Sequence, residues 1–144
     1  MLCFTGLSRI ASEIAKSKID NFKSREIELK RIKKMVDEAI QILQSTRTSI
    51  KEVSKLLHQR WLCKRSLSDK VSTPEIDFLY EEAMRAGAAG GKILGAGGGG
   101  FLLLFVKPEL QSKVYERLKH LIHVPFQFED SGSRVVLYQP NGLS

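Results

Sequence analysis

The segment Lys92-Ile93-Leu94-Gly95-Ala96-Gly97-Gly98-Gly99-Gly100-Phe101 gathers five of the chain's 11 glycines. Glycine reaches positive φ freely and lets the main chain come close to a ligand, so consecutive N–H groups can point into one concavity and bind phosphate oxygens. If Lys92 reaches the same concavity, it adds a point charge for a phosphate or for the charge that develops in phosphoryl transfer. The tract is neither a Walker A loop nor a dinucleotide fingerprint: no Gly-Lys-Ser/Thr follows it, and the strand comes after the glycines instead of before them. The same glycines also suit a tight turn or close packing of a helix on a sheet, and spacing alone supports both readings equally.

Other reactive side chains are scattered. His58, His120 and His123 have no acidic or cysteine neighbour at ligand spacing and read as surface or capping residues rather than a metal site. Cys3 and Cys63 lack CxxC spacing and read as buried thiols. Asp77, Glu81 and Glu82 share the polar face of one helix and need only solvate it, so no catalysis is assigned to them. Arg9, beside Ser8 after a strand end, is read as a surface residue, with substrate contact the alternative. Trp61 falls at core spacing.

Several elements must hold these residues in place. Met1–Thr5 reads as a strand ended by Gly6, an unusual start because such a strand needs partners from elsewhere in the chain. Leu7, Ile10, Ala11 and Ile14 give a helical stripe. Ser24 is placed to cap a second helix that buries Ile32, Met35, Val36, Ala39, Ile40 and Leu43. Ser49 with Glu52 forms a capping-box pattern before Ile50, Val53, Leu57 and Trp61. Thr73-Pro74 followed by Glu75 and Asp77 opens a fourth helix, with Ile76, Leu79, Tyr80 and Ala83 inward.

Beyond the glycines, the apolar run Phe101–Val106 predicts a central strand covered on both faces. Leu110, Val114, Leu118 and Leu121 predict a helix. Val124–Phe128 then alternates and turns through Asp130-Ser131-Gly132 into Arg134–Tyr138, as a hairpin does. Helices in the first half and strands mostly in the second favour an α+β fold, an antiparallel sheet backed by helices.

A chain of 144 residues with 42% hydrophobic content supports one domain, 1–144, with a single core. The net charge of +7 is concentrated between Ile14 and Lys70, where 15 basic and 7 acidic residues alternate along helices. Mixed charge with few interleaved aromatics reads as solvated helix faces rather than a nucleic-acid surface. No apolar run approaches a membrane span and no signal peptide is visible, so a soluble, reducing, cytoplasmic setting is expected, without nucleic-acid or membrane partners.

The stretch Ser72-Thr73-Pro74-Glu75-Ile76-Asp77 with Leu79-Tyr80, then Ala86-Gly87-Ala88, Gly90-Gly91-Lys92 and Gly95 to Gly100, resembles the third conserved motif of GHMP kinases and its preceding helix. Thr5-Gly6-Leu7-Ser8-Arg9 and Trp61-Leu62 before Lys64-Arg65-Ser66-Leu67-Ser68 are similar to the branch that phosphorylates a heptose 7-phosphate. The resemblance covers nearly the whole chain. It implies an α+β C-terminal domain with a ferredoxin-like antiparallel sheet, whose glycine loop faces the cleft between domains near the bound phosphates. That role carries over to Lys92, Gly95, Ala96, Gly97, Gly98, Gly99 and Gly100.

The resemblance also implies ATP and Mg2+ for the full kinase, with a sugar phosphate as second substrate. The family's ATP phosphate loop, catalytic aspartate and magnesium ligands are not in this sequence; Asn141-Gly142-Leu143-Ser144 matches a fragment of that loop by chance. The N-terminal kinase domain is therefore the expected partner. Neither tight ATP binding nor kinase activity is expected of this chain alone, for want of charge neutralisation and positioning. Surface left open where that domain docks could drive self-association into a homo-oligomer.

Overall fold

The structure, a computed structural model, describes residues 1–136 and residue 138. It is α+β: β1 (Leu2–Phe4), α1 (Ala11–Asp20), α2 (Glu26–Gln44), α3 (Lys51–Arg65), α4 (Pro74–Ala86), β2 (Gly90–Ile93), β3 (Phe101–Phe105), α5 (Gln111–Arg117) and β4 (Ile122–His123). The strands form one four-stranded sheet in the order β2-β3-β1-β4, antiparallel throughout. That is the order of a split βαβ, ferredoxin-like sheet. β1 finds the partners its position demands, pairing Cys3 with Leu102 of β3 and with His123 of β4.

Cys3, Ile93, Leu102 and Leu104 are buried on one face of the sheet against Ile76, Leu79, Tyr80 and Ala83 of α4 and Val114 of α5. β3 is central, but its other face is only partly covered. Phe101 is 40% exposed, and Leu103 and Phe105 are half-buried beside an apolar groove of about 430 Å³ that Leu43, Ile50 and Phe126 also line.

α4 has the ends its sequence calls for. The Thr73 hydroxyl accepts the Ile76 N–H at 3.3 Å, Pro74 occupies the first turn, and Gly87 closes the helix at φ 115°. An L side chain rarely adopts that angle, so glycine is the residue that can end the helix this way.

The other caps differ from expectation. Ser24 lies before α2 and donates to the Asn21 carbonyl instead, while Ser49 accepts the Lys51 N–H and forms no capping box. The α2 stripe is also less buried than its period predicts: Met35 is enclosed, whereas Val36, Ile40 and Leu43 are exposed. α2 packs chiefly on α3, which covers one side of it and leaves much of the stripe in the open. α1 begins after Ile10, which is exposed, and α5 is shorter than its pattern, ending before Leu118.

Two strands depart from the sequence pattern. Gly90–Ile93 is a strand despite its glycines, because it pairs with β3 along its whole length; α3 lies so close that a Cβ at Gly90 would overlap the Ser54 carbonyl. The last strand among the described residues is Ile122–His123, followed by a Val124 N–H bond to Leu2 O at 2.9 Å. The expected strand at 124–128 does not form, since Pro125 has no N–H to give the ladder and Phe126 turns into the apolar groove. The described part of 134–138 is not a strand either, while Leu137 and Asn141–Ser144 lie outside the described residues. No described helix is long and apolar enough to cross a membrane.

Candidate functional site

The glycine tract is the connection of the β2–β3 hairpin, closed by the Leu94 N–H to Phe101 O bond at 2.9 Å. Its glycines all have positive φ: 69° at Gly95, 122° at Gly97, 70° at Gly98, 152° at Gly99 and 88° at Gly100. Three of them are also walled in. A Cβ would fall 2.6 Å from the Val71 carbonyl oxygen at Gly97, 2.6 Å from Ile14 Cδ1 at Gly98 and 2.5 Å from the Leu7 carbonyl oxygen at Gly99. The residue preference here is therefore set by packing against the α3–α4 connection, α1 and the segment after β1.

Part of the loop's polarity is used inside the fold. The Gly98 and Gly100 N–H groups donate to Val71 O and Leu7 O, each at 2.8 Å, and Gly100 O accepts both the Thr5 N–H and its hydroxyl at 2.8 Å. The N–H groups of Gly95, Ala96, Gly97 and Gly99 have no protein acceptor among the described residues. Gly95, Ala96, Gly97, Gly99 and Gly100 line a cleft of about 320 Å³ with Leu7 and Arg9. Gly98 is buried behind it, and Arg9 is exposed at its edge.

Lys92 sits on β2 opposite Leu103 and is not among the residues lining that cleft. Two lysines to which the sequence reading gave no site role touch the loop instead, although Lys64 stood in one of the resembling motifs. Lys64 of α3 is buried, and its ammonium donates to Gly95 O at 2.6 Å and reaches Ile93 O at 3.5 Å. Lys18 of α1 donates to Ala96 O at 3.3 Å. Burial, then the charges of Lys18, Lys92 and Arg60, pushes the Lys64 ammonium down to about 8. Burial and Arg60 also lower Lys92. None of these four cations is ion-paired with a carboxylate among the described residues. Cations without carboxylate partners behind a loop whose amides lack acceptors give it a positive potential that suits an anion. These lysines lie 31 and 78 positions from their carbonyl partners, so no local spacing could have revealed them.

The remaining candidates have structural partners. Glu82 does not solvate a helix face: it is buried, bonded to Arg117 and to Arg85 at 2.7 Å, and those guanidiniums hold its carboxyl below the usual range. Asp77 pairs with Arg65 at 2.8 Å and accepts the Ser72 hydroxyl at 2.6 Å. His58 meets the Tyr80 hydroxyl at 2.8 Å, and Trp61 is core. Cys63 is only half-buried, and buried Cys3 lies 3.5 Å from His123 Nδ1, a pairing made by the sheet and not by sequence spacing. A larger hollow of about 760 Å³ beside α5 is lined by Arg85 and Arg117, whose charges are committed to Glu82.

The model of the GHMP kinases C terminal family matches residues 42–123. D-glycero-alpha-D-manno-heptose 7-phosphate kinase of Campylobacter jejuni subsp. jejuni is 32% identical over 125 residues, covering 84% of this chain and 35% of the relative. L. major mevalonate kinase, solved in complex with R-mevalonate, superposes with a TM-score of 0.69 at 19% identity over 83% of this chain and 37% of that one. Methanococcus jannaschii mevalonate kinase gives 0.67 at 24% identity over 83% and 35%. The chain thus spans about a third of the length of these relatives.

Proposed function

From the premise that the chain belongs to the GHMP kinase C-terminal family, we propose that it is the C-terminal domain of an ATP-dependent sugar kinase acting on a heptose phosphate. Its contribution is the Gly95–Gly100 loop, presented to the cleft between this domain and an N-terminal kinase domain. The observation that carries this reading is the set of N–H groups at Gly95, Ala96, Gly97 and Gly99 left without an acceptor beside a cluster of unpaired cations. Amides fixed in place beforehand stabilise negative charge on phosphate oxygens without reorganising during transfer. Lys92 and Gly98 act from behind this surface, through positive potential and packing respectively.

The loop's donors fit the phosphates of ATP or of a phosphorylated sugar. The described residues hold no group of three or more His, Cys, Asp or Glu able to bind a metal ion, so the magnesium implied for the whole kinase would be held by residues outside this domain. A reducing, cytoplasmic setting belongs to the same reading and is supported by the free thiols of Cys3 and Cys63.

The test is a kinase assay with ATP, magnesium and heptose 7-phosphate. This chain alone is compared with a chimera in which it replaces the matching segment of the Campylobacter jejuni relative. Phosphoryl transfer by the chimera and none by the chain alone is the expected result. A folded chimera that binds ATP but phosphorylates neither this sugar nor related ones would move the reading to a non-catalytic anion- or protein-binding module.

A further inference from the structure

We propose that Lys18 and Lys64 are positioning residues that hold the carbonyls of Ala96 and Gly95 and so turn the N–H groups of Gly97 and Ala96 toward an anion in the cleft. The inference rests on reading the Gly95–Gly100 loop as a phosphate site, and adds to it what sets the loop's orientation. In a planar trans peptide the carbonyl of one residue and the N–H of the next point in opposite directions. With Gly95 O held by Lys64 at 2.6 Å and Ala96 O by Lys18 at 3.3 Å, the two N–H groups that follow face away from α3 and α1. Those are amides without an acceptor among the described residues.

A glycine-rich loop has little preference between peptide orientations, and flipping one of these peptides would turn a carbonyl oxygen toward the anion. A lysine on each carbonyl removes that alternative. Burying an ammonium is costly where an apolar residue would pack freely, which argues that Lys64 is kept for a polar task. The charges facing it come from α1 (Lys18), β2 (Lys92) and its own helix (Arg60), all cationic. The pair of charged donors also polarises both peptides, which strengthens their N–H groups as donors.

The probe is sulfate, a dianion of constant charge near neutral pH, titrated into the isotope-labelled chain while the backbone nitrogens of the loop are followed by carbon-detected NMR. Saturable shifts at Ala96 and Gly97 are expected. Lys18→Met and Lys64→Met should each weaken sulfate about tenfold, the size of a lost charge-assisted hydrogen bond, and Lys64→Arg should restore most of it. Arg60→Met removes a nearby charge that holds no loop carbonyl and should change affinity by no more than about twofold through screened charge alone. Wild-type affinity should also fall as pH rises through about 8, where Lys64 loses its proton, and this fall should vanish in Lys64→Met.

Loop nitrogens unmoved by sulfate and by ATP in the wild type would remove the phosphate-site reading itself. Wild-type shifts that survive both lysine changes, or that Arg60→Met weakens equally, would overturn the positioning role and leave the loop reading standing. Should Lys64→Met fail to fold, Lys18→Met and the wild-type pH series decide: unchanged affinity in both refutes the proposal.

Discussion

Replacing Gly97 by alanine tests how the loop is held. Gly97 has φ 122°, and a Cβ there would lie 2.6 Å from the Val71 carbonyl oxygen and 3.0 Å from its Cα. Forcing a non-glycine residue into such a conformation costs about 1–3 kcal/mol. Val71 O must also move, and it accepts the Gly98 N–H at 2.8 Å, so a further loss of about 1 kcal/mol follows. Alanine's stiffer unfolded chain offsets about 0.4–1 kcal/mol, which leaves a net destabilisation of about 1–3.5 kcal/mol, centred on about 2. Gly95→Ala provides the comparison. Its φ of 69° is positive too but nothing lies within 4 Å, so the left-handed backbone cost of about 1–2 kcal/mol stands alone and, after the same offset, the net loss should stay under about 1.5 kcal/mol. Urea unfolding followed by the fluorescence of Trp61, the single tryptophan and fully buried, measures both. Equal losses in the two variants would refute the account of Gly97 as a residue fixed by its contact with Val71.

Two titrations read the buried charges. Arg117 and then Arg85 lower the Glu82 carboxyl, so its contribution to stability is present above the ordinary carboxylate range and is lost as pH falls; Glu82→Gln should flatten the acid limb of a plot of urea midpoint against pH. Lys64 differs in that folding disfavours its charged form, but its pKa too is lowered, so stability should again rise with pH, here as it climbs from about 8 toward the ordinary 10.5, and Lys64→Met should abolish that rise.

The parts of the fold that were legible in sequence are those decided locally. Thr73, Pro74 and Gly87 delimit α4 because capping is a matter of neighbouring backbone groups, and Phe101–Phe105 announces a strand by its length and apolarity. β2 was hidden because its glycines answer to distant partners, Gly90 to Ser54 of α3 and Gly91 to Leu103 of β3. The same reason conceals Lys18 and Lys64, whose partners are main-chain oxygens with no residue identity to read. Glu82 appeared solvated because its guanidinium partner Arg117 comes from the neighbouring helix α5, 35 positions on in sequence. The glycine tract was ambiguous between packing and anion binding, and the structure divides it: Gly98 and Gly100 spend their N–H groups inside the fold, while those of Gly95, Ala96, Gly97 and buried Gly99 have no acceptor among the described residues.

The close seat of α3 against β2 also bears on how the domain behaves in crowded solution. A free strand edge recruits other chains, and a chain with an apolar sheet is exposed to that hazard during folding and storage. Here one margin of the sheet is shielded by a helix near enough to forbid any side chain at Gly90, and the Lys64 ammonium occupies the Ile93 carbonyl that an incoming strand would need. The opposite margin is β4, only two residues long. Both sides are thus poor templates for strand addition, so a substitution that loosens α3 would promote fibrillar aggregation before it unfolded the core.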